Sequence, residues 1–430
     1  MKVLIANKYL YRGGGTATYL LALMDELRDL GHDIVPFTVA FEGTQTTAYS
    51  EYYVSPPGRP GQTHYADLLS APVSLAKLAG RAIYSTETFR KAIRLVDATG
   101  PDVAYVNNIY NYMSPSIFRA LKQRGVPIVM GVADFNLVCP GLYVVRNGVH
   151  CRLCASGAHW KALAHRCHKG SLAATSVRVL SMYAHRWLRL YDLVDAFVTP
   201  SRVLRDLLIE SGLPATKVRQ IPLFYRPPAA SATSNADLPQ FPAADALPYV
   251  MYFGRIDRYK GIETLVRAFA QCRRGVRLLI VGADVDGERQ RLSRIADEIG
   301  VANVEFLGNQ GRAELDVLIR GALFTVIPSE MPDNCPMCVL ESFAHAKPVI
   351  GSNIGGIPEQ ITPEVGYLFE PGNVGELADR IQSLIDDAAL RETMGAAALH
   401  RLRTVFSPEA HCEALLELFA KVIQRSARRL

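Results

Sequence analysis

Apolar positions along the chain recur in two alternating periods. A short unbroken run, Val3-Leu4-Ile5-Ala6, gives way to glycines and then to apolar residues at helical spacing (Tyr19, Leu20, Leu23, Leu27, Leu30), and a second run follows at 34–39. Unbroken runs of this length suit strands buried on both faces, and the 3.6-residue period suits helices that cover them. Strand, glycine turn, helix and strand in that order form a βαβ unit of a parallel sheet. The same alternation predicts strands at 103–107, 128–132, 196–199 and 218–222, with helices over 68–99, 176–193 and 201–210. Residues 41–66, rich in Thr, Tyr, Gly and Pro, predict a long loop able to cover a site. Residues 226–248, with Pro227, Pro228, Pro239, Pro242 and Pro248 among Ala and Ser, predict a linker. The rhythm then restarts, with strands at 249–254, 277–281, 304–307, 323–327 and 348–351. Ser407-Pro408-Glu409 opens a last helix as a cap followed by proline at the first helical position.

Length and composition sharpen this picture. At 430 residues the chain exceeds one ordinary core, so two domains of about 200 residues each are expected. The expected division is 1–226, with a Cys-rich insertion at 139–168, a linker at 227–248, a second domain at 249–406, and a helix at 407–430 packing back toward the first. The fold class is α/β, with two doubly wound parallel sheets and a ligand in the cleft that they face. Apolar content of 49% with 20% charged residues excludes a disordered chain. A formal charge of +6 points only weakly to anionic ligands such as nucleotide phosphates or lipid headgroups, and no recognition pattern points to nucleic acid. The apolar start is too short for a secretion signal, and no stretch approaches about 18 apolar residues. A cytoplasmic location is expected, with the eight cysteines as thiols or metal ligands.

Two stretches of the second domain carry candidate chemistry. Ser329 to Glu341 follows an apolar run; Asp333-Asn334 offers a helix cap, and apolar spacing over 335–347 predicts a helix with Glu341 about two turns in. Two acids beside a helix N-terminus can hold a phosphorylated, hydroxylated ligand, though a surface cap and an ordinary helix glutamate give the same spacing. Gly254-Arg255 leaves a strand end, and Lys260 precedes Gly261. Two cations there can neutralise a diphosphate without a metal, or simply be solvated. Gly13-Gly14-Gly15 does not complete a dinucleotide fingerprint, so a nicotinamide cofactor is not expected.

Taken together, these stretches resemble the retaining glycosyltransferases of the GT-B fold, family 4 (glycosyl transferases group 1 type), nearly end to end. The matching residues are Gly14-Gly15, Gly31-His32, Thr199-Pro200-Ser201, Phe253-Gly254-Arg255 with Lys260-Gly261, Phe306-Leu307-Gly308, Pro328-Ser329 and Gly355-Gly356-Ile357-Pro358-Glu359. The resemblance implies two Rossmann-like domains, a nucleotide-sugar donor and a hydroxyl acceptor, with no cofactor required for catalysis. Arg255 and Lys260 would bind the diphosphate and stabilise the leaving group. Asp333 would contact the transferred sugar, Glu341 the ribose, and the N–H groups of Met337 and Cys338 a donor oxygen. Leu307 and Gly308 would lie near the base, and Gly15 near the phosphates. The leaving diphosphate would accept the acceptor's proton on the same face.

Two positions depart from the family pattern. Asp333 stands where the family has Glu, with Glu330 as a possible substitute, and Ala133 stands where it has His, while the neighbouring catalytic candidate Asp134 is kept. These motivate a rival reading, a catalytically silent GT-B partner that still binds a nucleotide-sugar. A third reading is a nucleotide-sugar epimerase.

Cys139, Cys151, Cys154 and Cys167 have spacing compatible with a structural zinc, against the alternative of reduced thiols; Cys335 and Cys338 have no such partner pair. The helix around 177–194 interleaves Arg and His with Leu, Met and Trp. It reads as core-facing with a solvated basic edge, or as a face resting on anionic lipid. A lipid-linked acceptor in cell-surface polysaccharide or glycoconjugate synthesis would bring peripheral contact with the inner face of the cytoplasmic membrane.

Overall fold

A computed structural model describes every residue except 12–14, 57–79, 111, 147, 228–246, 274 and 429–430, and omits the side chain of Thr16. Most of the expected linker and parts of the 41–66 loop and 68–99 helix therefore lie outside the described residues. The chain divides into two compact units, one of Met1–Arg146, Cys151–Pro222 and Pro408–Leu430, the other of Leu223–Ser407 with Asn147–His150.

The first unit holds strands β1 (Lys2–Ala6), β2 (Asp33–Phe37), β3 (Val103–Asn107), β4 (Ile128–Gly131), β5 (Ala196–Thr199) and β6 (Val218–Gln220) in the order β2-β1-β3-β4-β5-β6, all parallel. Every residue of β3 is buried, which is why its apolar run lacks alternation. The expected 68–99 helix is broken: residues 80–83 are helical, and a new helix, Thr86–Thr99, starts at Ser85, whose hydroxyl accepts the Thr88 N–H at 3.1 Å. Ser85 is thus a cap that the helical period conceals. The last helix, Pro408–Ala427, belongs to this unit. There the His411 ring takes the Tyr19 hydroxyl at 2.8 Å and donates to the Pro222 carbonyl at 2.7 Å, and Phe419 packs on Tyr105.

The second unit holds β7 (Tyr249–Phe253), β8 (Arg277–Val281), β9 (Val304–Gly308), β10 (Thr325–Ile327), β11 (Val349–Ser352) and β12 (Gly366–Phe369), ordered β9-β8-β7-β10-β11-β12 and again parallel. Strand β12 was not expected, because its run Gly-Tyr-Leu-Phe is too short to stand out from the surrounding helices. The strand order reverses between β7 and β10, and crevices at the carboxyl ends of strands form at such a switch point.

Candidate functional site

In the second unit, the loops leaving β7 and β10 lock together at that switch point. Gly261 adopts φ +65°, and a Cβ there would lie 1.8 Å from the Pro328 carbonyl oxygen, so only glycine permits the approach. The Glu330 N–H donates to the Tyr259 carbonyl at 2.9 Å, and the Thr264 hydroxyl to the Glu330 carboxylate at 2.6 Å. Glu330, expected as a possible substitute for Asp333, is thus committed to Thr264. The Asp257 carboxylate caps the turn Arg258–Lys260 through the Tyr259 N–H at 3.0 Å.

This locking sets Lys260 against Asp333. The Lys260 ammonium lies 2.9 and 2.7 Å from the two Asp333 oxygens, and the Ser329 hydroxyl donates to the same carboxylate at 2.6 Å. The backbone of Asp333 is fixed from the other side by Gly355-Gly356. Gly356 N–H donates to the Asp333 carbonyl at 2.6 Å, and a Cβ on Gly355 (φ +62°) would fall 2.4 Å from that oxygen. Arg255 is half exposed, 3.7 Å from Asp257, and its carbonyl accepts the Tyr252 hydroxyl at 2.6 Å. Lys260 and Asp333 thus come together, with Arg255 on the adjoining loop.

The helix after Asp333 differs from expectation. It runs Met337–Ala344, shorter than 335–347, and Pro336 occupies the cap position with no side-chain cap bond, so Asp333 and Asn334 do not cap it. Asp333 is turned instead to Lys260. The first N–H groups, at Met337 and Cys338, lie at an uncapped helix end that favours anions. Burial pushes the Cys338 thiol up to about 12, so it behaves as an apolar group. Glu341, in the second turn, receives the Arg312 guanidinium at 2.6 Å. Arg312 also bonds Asp316 at 2.6 Å and the Tyr225 hydroxyl, and His345 reaches Asp316 at 3.2 Å. Sequence reasoning missed Ser329's bond and the whole Arg312 network, because no local spacing ties Arg312 to Glu341. Leu307 and Gly308 end β9, with the Gln310 amide donating to the Leu307 carbonyl at 2.6 Å.

In the first unit, Gly15 opens the helix Gly15–Asp29 and is exposed, whereas Gly13 and Gly14 lie outside the described residues. Asp134 follows β4. Burial raises its carboxyl above the usual range, while the Asn136 N–H at 3.0 Å and the cations of Lys8 and Arg178 act the other way. Burial in turn lowers the Lys8 ammonium, against the pull of Asp134. Arg178 is anchored through the Asn136 carbonyl and amide oxygens at 2.6 and 2.7 Å. Lys8 and Arg178 were not foreseen as partners of Asp134; Lys8's place just beyond β1 was the available signal.

A family model described as glycosyl transferase 4-like domain matches residues 14–223, and one described as glycosyl transferases group 1 matches residues 234–401. The chain belongs to the group 1 glycosyltransferase family. Relatives of this chain include the lipopolysaccharide core biosynthesis glycosyltransferase LpsD of Rhizobium meliloti, 35% identical over 47% of this chain and 57% of that protein. Another is a GDP-mannose-dependent monoacylated alpha-(1-6)-phosphatidylinositol monomannoside mannosyltransferase of Corynebacterium glutamicum, 28% identical over 44% of this chain and 52% of that protein. The chain thus spans about half the length of these curated relatives. Among solved structures, sucrose-phosphate synthase from Thermosynechococcus elongatus matches with TM-score 0.65 and 22% identity over 99% of both chains. Anabaena HepE in complex with UDP-glucose matches with TM-score 0.64 and 18% identity over 98% of this chain and 100% of that one. These likenesses show the GT-B fold.

The cysteine-rich segment places Cys139, Cys151, Cys154 and Cys167 around one cavity of about 30 Å³. Among the described residues, however, no group of three or more His, Cys, Asp or Glu side chains is placed to hold a metal ion. The four thiols thus line one cavity without forming such a group. Burial pushes Cys154 up to about 11, with the neighbouring cysteines adding to it.

Proposed function

We propose that the chain transfers a sugar from a nucleotide-sugar to a hydroxyl acceptor with retention and without a catalytic metal. The observation that carries this reading is the Lys260–Asp333–Ser329 cluster beside an uncapped helix start, at the switch point of the second sheet. Lys260, Arg255 and the N–H groups of Met337 and Cys338 take the donor's phosphate oxygens; Glu341, held by Arg312, takes the ribose; Leu307 and Gly308 flank the base. Asp333 meets the transferred sugar. The bond from the sugar's anomeric carbon to the phosphate oxygen breaks, the acceptor oxygen bonds that carbon on the same face, and the acceptor's proton passes to the leaving diphosphate. The names of the Rhizobium and Corynebacterium relatives favour a lipid-linked acceptor and cell-surface glycoconjugate synthesis.

A thermal-shift screen with UDP-, GDP-, ADP- and TDP-linked sugars tests the reading, since a ligand bound only by the folded state raises its stability. The expected result is stabilisation by sugars of one nucleotide, followed by turnover that survives EDTA and keeps the anomeric configuration. No stabilisation by any donor would end it. Ala133, in place of the family's histidine, favours the silent reading instead, whose signature is donor binding with no turnover on any acceptor from membrane extracts.

A further inference from the structure

The helix Leu172–Trp187 of the first unit exposes part of its apolar surface. Its buried positions are Thr175, Arg178, Val179, Ser181, Met182 and His185, whereas Leu172, Leu180 and Trp187 are 50%, 60% and 86% exposed. The expected core-facing side holds at Val179 and Met182 and the solvated basic edge at Arg186, but Arg178 and His185 are buried and three large apolar residues face outward. The reason lies in the polar partners: Arg178 is held by Asn136, and the His185 ring donates to the Ala82 and Ile83 carbonyls at 3.0 Å, so the hydrogen-bonding side turns inward. Leu172, Ser176, Leu180 and Trp187 then fall on one outward stripe. The preceding turn extends it. Trp160 is 60% exposed, and the Tyr183 hydroxyl ties that turn to the helix through the Trp160 N–H at 3.2 Å and the Gly157 carbonyl at 3.3 Å.

The charge around this stripe is one-sided. Residues 135–191 contain six Arg and two Lys and no Asp or Glu. Arg189 is paired with Asp192 and Arg152 with Glu210, both acids from outside the segment. Arg166 and Arg186 are exposed and, among the described residues, have no carboxylate partner. Apolar and indole side chains rimmed by unneutralised cations fit an anionic surface with an apolar layer beneath it. A second copy of the same face would set like charges against each other. Among the described residues no helix is long and apolar enough to cross a membrane, so this contact is peripheral.

We infer that the Trp160–Leu172–Leu180–Trp187 face, with Arg166 and Arg186, docks the chain on an anionic phospholipid bilayer. The inference stands apart from the donor chemistry, because docking needs no nucleotide. The sequence supplies its own reporter: the chain has two tryptophans, and both lie on this face. The full chain is mixed with large unilamellar vesicles of phosphatidylglycerol and phosphatidylcholine, or of phosphatidylcholine alone, and followed by indole emission and co-sedimentation. A blue shift and pelleting with the anionic vesicles, weakened by salt, are expected. L180A/W187A should lower partitioning by about tenfold or more, and R166E/R186E likewise, at unchanged thermal unfolding because all four sites are exposed. Unshifted emission, equal binding to neutral vesicles, or partitioning indifferent to both double variants would overturn it. So would a concentration-dependent dimer that L180A/W187A dissolves without any vesicle binding.

Discussion

Replacing Lys260 by Met separates a structural role of the Lys260–Asp333 pair from a role in donor binding. Both side chains are largely enclosed, at 17% and 15% exposure, and the ammonium touches both carboxylate oxygens. Removing it leaves Asp333 with the Ser329 hydroxyl as its one remaining side-chain donor among the contacts described, in a setting where an uncompensated charge costs about 3 kcal/mol. Lys260→Met should therefore lower unfolding free energy by about that much in a urea titration. Asp333→Asn on top removes the orphaned charge and should restore at least half of the loss. Nucleotide affinity should behave differently. If Lys260 also meets the diphosphate, its loss weakens donor binding by about 1.5–3 kcal/mol, roughly 10- to 150-fold in Kd. Asp333→Asn cannot restore that contact. Calorimetric titration of the three variants with the stabilising nucleotide reads this out. The reasoning is refuted if Lys260→Met leaves nucleotide affinity unchanged, or if the double variant recovers affinity along with stability.

Other outcomes follow from the same structure. Glu341→Ala should weaken binding of the nucleoside and of the nucleotide-sugar alike by about 1–3 kcal/mol, measured by calorimetry, because it removes a charged partner of the ribose and leaves Arg312 with Asp316 and Tyr225. Gly355→Ala should cost more stability than Gly31→Ala. Both sites have positive φ (+62° and +79°), but only at Gly355 does a Cβ meet the Asp333 backbone, so strain of about 1–2 kcal/mol at Gly31 is joined by displacement of Asp333. Denaturation midpoints and donor affinity for the two variants check this. His185 and His411 are each lowered to about 4 by burial, against carbonyl partners that act the other way. An unfolded histidine takes its proton near pH 6.5, so the stability these two give is complete above that pH and lost as pH falls from about 6.5 toward 4. At pH 5 the loss is about 2 kcal/mol per ring, and His411→Gln should flatten its share in urea titrations at pH 7.5 and 5. Metal analysis of the purified chain decides whether Cys139, Cys151, Cys154 and Cys167 hold zinc: a full equivalent that is lost in C151S/C154S would assign it to their cavity, and no metal at full folding would end the zinc reading.

The parallel sheets were legible because a strand buried on both faces needs an unbroken apolar run, and Val103–Asn107 and Tyr249–Phe253 have one. The loop chemistry was legible in part. Gly261 and Gly355 could be singled out from the sequence, but what they accomplish, an approach to the Pro328 and Asp333 backbones, is a contact between distant segments that no local period encodes. Arg312 shows the same limit, since it meets Glu341 from 29 residues away. The helix Leu172–Trp187 shows a different one. Its apolar and polar residues were both visible, yet which set faces inward is decided by partners elsewhere: Asn136 holds Arg178, and the carbonyls of Ala82 and Ile83 hold His185. A periodic stripe names two faces and does not say which is buried. Where a helix buries Arg178 and His185 against bonded oxygens and exposes Leu172, Leu180 and Trp187, water is a poor solvent for the outer face. The burial of Arg178 thus carries two consequences at once: it sets a cation beside Asp134, and it turns Leu180 and Trp187 outward.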